Sequence, residues 1–125
     1  MKKFILTMVA LIGLGISANA GQHTSSCAIY GISGAYVNAE ARISSSGGGI
    51  DIKIIANGVT SGTVICEVRY KISGVEKKGE TMITFSFNPR TGQVEGSGYI
   101  NAPGRLSNDS DIIETRVYNA QCTQK

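Results

Sequence analysis

The only histidine of this chain lies in the run Gly21-Gln22-His23. If the chain is cut before Gly21, four nitrogens can surround one ion in a plane. They are the α-amine of Gly21, the backbone amides of Gln22 and His23, and the His23 imidazole. A square-planar nitrogen set suits Cu(II) or Ni(II). Spacing decides the chemistry, because a histidine at position three closes the fused chelate rings. A cut after Ala18 would move His23 to position five and remove the site. No folded pocket is needed, so a flexible tail, Gly21–Ser26, is expected to be able to supply the ligands.

The cut itself is predicted by the first twenty residues. Lys2 and Lys3 give a positive start, Phe4–Ile16 is an apolar run, and Ala18-Asn19-Ala20 is a small-x-small cleavage signal. The apolar run is too short to cross roughly 30 Å of hydrocarbon. The segment 1–20 therefore reads as a signal peptide, with residues 21–26 a loose tail and 27–125 one domain. The processed chain is expected to be secreted or periplasmic, with no membrane insertion after cleavage.

The other chemistries are poorly served. With its one imidazole on a tail, the chain lacks a preassembled Ser-His or Cys-His pair. Close Cys/His ligand pairs of the zinc type are missing. Asn108, Asp109, Asp111 and Glu114 could offer oxygen to a cation, but they lack the glycine and ligand run of a calcium loop and read as a turn. Twelve basic side chains face nine acidic ones. Without Lys2 and Lys3 the balance falls to ten against nine, a net charge of +1. That gives no electrostatic case for nucleic acid.

Three cysteines, Cys27, Cys66 and Cys122, are an odd set for an oxidising compartment. Cys66 shares its alternation with Val64, Val68 and Tyr70, which places it in the core as a small hydrophobe. Cys27 opens the domain and Cys122 closes it, so Cys27–Cys122 is the expected disulfide. Closing a loop of about 100 residues would stabilise the fold by roughly 4–5 kcal/mol. A bridge from Cys66 to one of the other two is the alternative. Tyr36 and Tyr99 fall on outward positions, where aromatics either form a binding patch or stabilise cross-strand pairs.

Strands must position all of these residues. Period-two alternation runs through GAYVNAEARIS, GIDIKIIAN, TVICEVRYKIS, ETMITFSF, QVEGSGYIN and DIIETRVYNAQC, with CAIYGIS as a short opening strand. Inward positions include Val37, Ile52, Val64, Ile83, Phe85 and Phe87. Turn chemistry separates the runs at Gly47-Gly48-Gly49, Asn57-Gly58, the charged stretch Gly74–Gly79, Asn88–Gly92 and Ala102–Asp109. Inward glycines at 96 and 98 point to a bend or a close sheet contact. The expected fold is an all-β antiparallel sandwich of about seven strands, immunoglobulin-like, with a small β-barrel as the alternative. The expected function is non-enzymatic: binding of an unknown protein or surface component through a free sheet edge or through Tyr36 or Tyr99. Cu(II) or Ni(II) capture by Gly21, Gln22 and His23 is the alternative, and no other cofactor is required.

Overall fold

A computed structural model describes residues 18–123. The proposed signal peptide lies outside the described residues over positions 1–17. The described residues are all-β apart from one 3-10 turn, Asp109–Asp111. We label the strands β1 (Ala18–Ala20), β2 (Thr24–Ala28), β3 (Tyr36–Ile43), β4 (Gly49–Asn57), β5 (Ser61–Ile72), β6 (Val75–Asn88), β7 (Gln93–Asn101) and β8 (Ile112–Cys122). They form one antiparallel sheet in the order β1-β2-β3-β4-β7-β6-β5-β8. The sheet nearly closes on itself, because Gly21 bridges Thr115 and Tyr30 bridges Gln121.

Alternation builds the core. Ile50, Ile52 and Ile54 of β4 are buried with Val64, Cys66 and Val68 of β5, Ile83 and Phe85 of β6, and Val117 of β8. Leu106 plugs one end from the loop between β7 and β8. The immunoglobulin order is not followed. Counting from β2, that order would place the second strand between the first and the fifth. Here β3 pairs with β2 and β4 by successive hairpin connections.

Two glycines decide how the sheet folds back. β6 and β7 share a register only from Ser86↔Glu95 to Asn88↔Gln93. Beyond it they cross in close contact: a Cβ on Gly96 would fall 2.3 Å from the Thr84 carbonyl oxygen, and one on Gly98 would fall 2.6 Å from Ile83 Cγ1. No larger residue fits there, as the inward glycines led us to expect.

Three expectations are corrected. The charged stretch after Gly74, through Gly79, is strand rather than loop. The turn is only Ser73-Gly74, both with positive φ, which matches the twist of the flanking strands β5 and β6. Phe87 is 53 % exposed although its parity is inward. It lies one pair before the turn end of β6, opposite Val94, beyond the well-covered core. Finally, Thr24–Ser26 belong to β2 and are not a loose tail. They pair in turn with Glu40, Ala39 and Asn38 of β3, because alternating small residues let Ser25 turn into the interior.

Candidate functional site

Gly21-Gln22-His23 forms the turn between β1 and β2. Three carbonyls in succession hold it in place. Gly21 O accepts from Thr115 N at 2.6 Å, Gln22 O from Thr115 Oγ1 at 2.9 Å, and His23 O from Ala41 N at 2.8 Å. Thr115 is fully buried, so this anchor is shielded from water. The turn is docked by its oxygens, whereas chelation would use its nitrogens. In the described residues the Gly21 nitrogen is still joined to Ala20, and the α-amine exists only after cleavage.

The docked turn begins a seam between β2 and β8. These strands run alongside each other without a regular ladder, so side chains do part of the joining. Ser25 Oγ accepts a hydrogen bond from Val117 N at 3.1 Å. Farther along, Tyr30 N donates to Ala120 O at 2.8 Å. Cys27 is buried in the same seam. Its burial pushes the thiol up to about 11, partly offset by a hydrogen bond from the Ala120 backbone. The expected Cys27–Cys122 disulfide is not formed, and no two cysteine sulfurs stand at bonding distance. Cys27 is directed at Ala120, while Cys122 lies opposite Gly62 of β5. Cys66 is buried in the core, where desolvation and then the Glu67 charge push its thiol up to about 12. A thiol held that high is a poor nucleophile at neutral pH.

Tyr36 and Tyr99 share the outer face of β3, β4 and β7 but stand far apart. Tyr36 is opposite Asn57 and Tyr99 opposite Asp51. Six residues of β4 separate those rows, roughly 20 Å at strand rise. Tyr99 is also packed over the chain at Gly49, where an added Cβ would meet its Cζ at 2.4 Å. The two tyrosines therefore do not form one patch.

A different apolar row crosses the opposite outer face. Met82 of β6 pairs with Ile65 of β5, and Ile65 pairs with Tyr118 of β8. Tyr118 and Tyr30 then line a groove of about 410 Å³ over the seam. Met82 is 69 % exposed and Tyr30 is 72 % exposed, whereas Tyr118 is half-buried. The Tyr118 phenol donates to Glu80, which requires its ring to lie across β5 to reach β6. Arg116 stacks over that ring, its guanidinium carbon 5.5 Å from the centroid. The hydrogen bond to Glu80 pushes the phenol up to about 12.

Charge borders the row on one side. Glu67 takes Arg116 at 3.1 Å and Lys78 at 3.4 Å, and Arg69 joins Glu76 at 2.6 Å and Glu114 at 2.8 Å. These pairs fix long side chains and leave an apolar strip beside a patterned polar margin. The sequence held a signal for it: Met82 and Ile65 are apolar residues at outward parity in otherwise polar registers. Tyr30 and Tyr118 carried no such signal, because their meeting depends on closure of the sheet.

Among the described residues, no three His, Cys, Asp or Glu side chains are grouped so as to hold a metal. Asp111 instead accepts the backbone N–H groups of Ser107 and Asn108, each at 3.2 Å, and so stabilises the turn before β8. Comparison with protein-family models, with curated proteins and with solved structures finds no match to this chain.

Proposed function

We propose that this chain is an exported, non-enzymatic β-sandwich that binds another protein or a surface component in the periplasm or outside the cell. The observation that carries the reading is the strip Met82–Ile65–Tyr118–Tyr30. It combines a flexible thioether with two aromatics beside a charged margin, a composition suited to a protein contact. The brief β6–β7 register and the side-chain-mediated seam support a two-layered sandwich over a barrel, with β1, β2, β3, β4 and β7 in one layer and β6, β5 and β8 in the other. A photo-crosslinking residue at position 82, compared with one at position 53 on the other face, tests this in the native envelope. A discrete adduct from position 82, lost when Tyr30 is also changed to Ala, is expected. Adducts only from position 53, or none from either, would refute the strip as the contact.

A second reading is Cu(II) or Ni(II) capture by the processed terminus. It is favoured by the way the structure holds Gly21, Gln22 and His23 together in one turn, docked through their carbonyl oxygens. Titration with Cu(II) should give a visible d–d band of square-planar nitrogen type. The same band in a His23→Ala variant would remove this reading.

A further inference from the structure

β1 lies on the outer edge of β2, antiparallel, with Ala18 opposite Cys27, Asn19 opposite Ser26 and Ala20 opposite Ser25. These three residues are the ones that cleavage before Gly21 removes. The folded chain thus shows how an extended segment seats on an edge that processing would leave bare. We propose that this edge of β2 is the binding slot of the processed protein, and that it takes an extended antiparallel segment of a partner protein with a small-polar-small sequence. The proposal rests on the export reading above and names the contact and partner chemistry for it.

The need for an occupant follows from backbone bonding. An uncovered strand edge presents N–H and C=O groups that pair with another chain. β8 cannot supply them as a regular ladder, because its nearest groups are already engaged by Ser25 Oγ and by Tyr30 N. Size selection follows from the floor of the slot. Ser25 and Cys27 are each 5 % exposed, and the chain's own segment carries alanine at both opposing register positions.

Polarity at the middle position follows from its row. Ser26 pairs with Asn38, and Asn38 with Ile55, in an open groove of about 660 Å³ that also contains Glu40 and Lys53. Both signs of charge are present there, so an uncharged polar residue fits best. Direction is set as well. The amino-terminal end of the occupant lies at Cys27, which also lines the groove of Tyr30 and Tyr118. An apolar residue just before the small-polar-small segment would enter that groove, so the slot and the apolar strip meet at one seam.

The bond to be cut is enclosed in the same arrangement. Ala20 pairs with Ser25 and Gly21 bridges Thr115, one on each side of it. A peptidase needs an extended, unpaired chain, so cleavage precedes folding. A precursor that folds uncut carries its own occupant.

The test uses the protein exported and processed by its host, with its terminus established by intact mass. A synthetic peptide of residues 15–20 is titrated into the isotopically labelled protein. Saturable shifts are expected at the Ser25, Ser26 and Cys27 amides, with slowed hydrogen exchange at Ser26, whose backbone groups face the slot while those of Ser25 and Cys27 face β3. Methylating the peptide's backbone nitrogens should weaken binding about tenfold or more, because the ladder bonds are lost. A tryptophan opposite Cys27 should do the same. No shifts, or shifts confined to the Met82 face, would overturn the slot and leave the binding-module reading standing. Self-association through β2 without peptide binding would assign the edge to a second copy and overturn the partner proposed here. A mass that retains residues 18–20 would overturn the export reading itself.

Discussion

Replacing Ser25 with alanine removes the acceptor that the structure gives Val117 N at the seam. Both residues are buried, Ser25 at 5 % exposure and Val117 at 0 %. The opposite register of Val117 with Cys66 shows that β5 lies on its other side. The amide therefore loses its partner in a place that water does not reach. A buried donor left unsatisfied costs about 1–3 kcal/mol. For a domain of this size, each kcal/mol lowers Tm by about 4–8 °C. Ser26→Ala is the control. Ser26 is a neighbour on the same strand but faces the open groove, and its loss should change stability by less than about 0.5 kcal/mol. Urea unfolding of the two variants reads the difference directly. The midpoint should fall for Ser25→Ala with an unchanged slope, because the exposed surface on unfolding is the same. Amide exchange at Val117 should accelerate more than exchange in the β3–β4 pair. If Ser25→Ala matches Ser26→Ala and Val117 stays protected, side-chain closure of the seam is wrong.

Gly96→Ala forces a Cβ to within 2.3 Å of the Thr84 carbonyl oxygen and 3.1 Å of Phe85 Cα. Backbone cannot yield as a side chain does, so a loss of about 3 kcal/mol in chemical unfolding is expected, and a neutral effect would contradict the close crossing of β6 and β7. Tyr118, raised by its hydrogen bond to Glu80, should ionise near 12 in an absorbance titration. Its folded value lies above the unfolded value near 10, so the stabilisation is complete below about pH 10 and disappears as pH rises through about 12. Glu80→Gln should move the Tyr118 transition downward, and an unmoved transition would sever the pair.

The strands were legible because burial imposes a period of two on residues such as Ile50, Ile52 and Ile54. Gly96 and Gly98 were legible for a related reason, since inward positions without side chains imply a close neighbour. The Asn88–Gly92 turn was legible from its chemistry: Asn88 O accepts from Thr91 N and Gly92 N, and Gly92 takes φ +75°. The failures share another cause. Thr24-Ser25-Ser26 has little hydrophobic contrast, so its strand character depends on β3 beside it and on Val117 across the seam. Phe87 has the right parity but sits past the covered part of the core, which periodicity cannot measure. Val75–Gly79 looks like loop because its charges face water along a strand paired to β5. The apolar strip was half visible, since Met82 and Ile65 stand out locally while Tyr30 and Tyr118 are joined only by closure.

The seam changes what the amino terminus does in this fold. A disulfide between Cys27 and Cys122 would have fastened the ends irrespective of the residues between the cut and Cys27. The structure instead distributes that fastening over Gly21, Gln22, Ser25 and Tyr30, each held to β8 through a named hydrogen bond. Within six residues, the chain thus carries the predicted cut, the proposed chelate and the start of closure. Closure uses the carbonyl oxygens of Gly21 and Gln22 and the hydroxyl of Ser25, chelation would use nitrogens of the same turn, and strand addition would use the edge of β2 that faces away from β3. The three demands thus meet on one short segment, the closure observed and the chelate and the strand slot proposed. A change at Thr115 should disturb them together, because its buried N–H and hydroxyl fix the turn from which the chelate and the slot are both oriented.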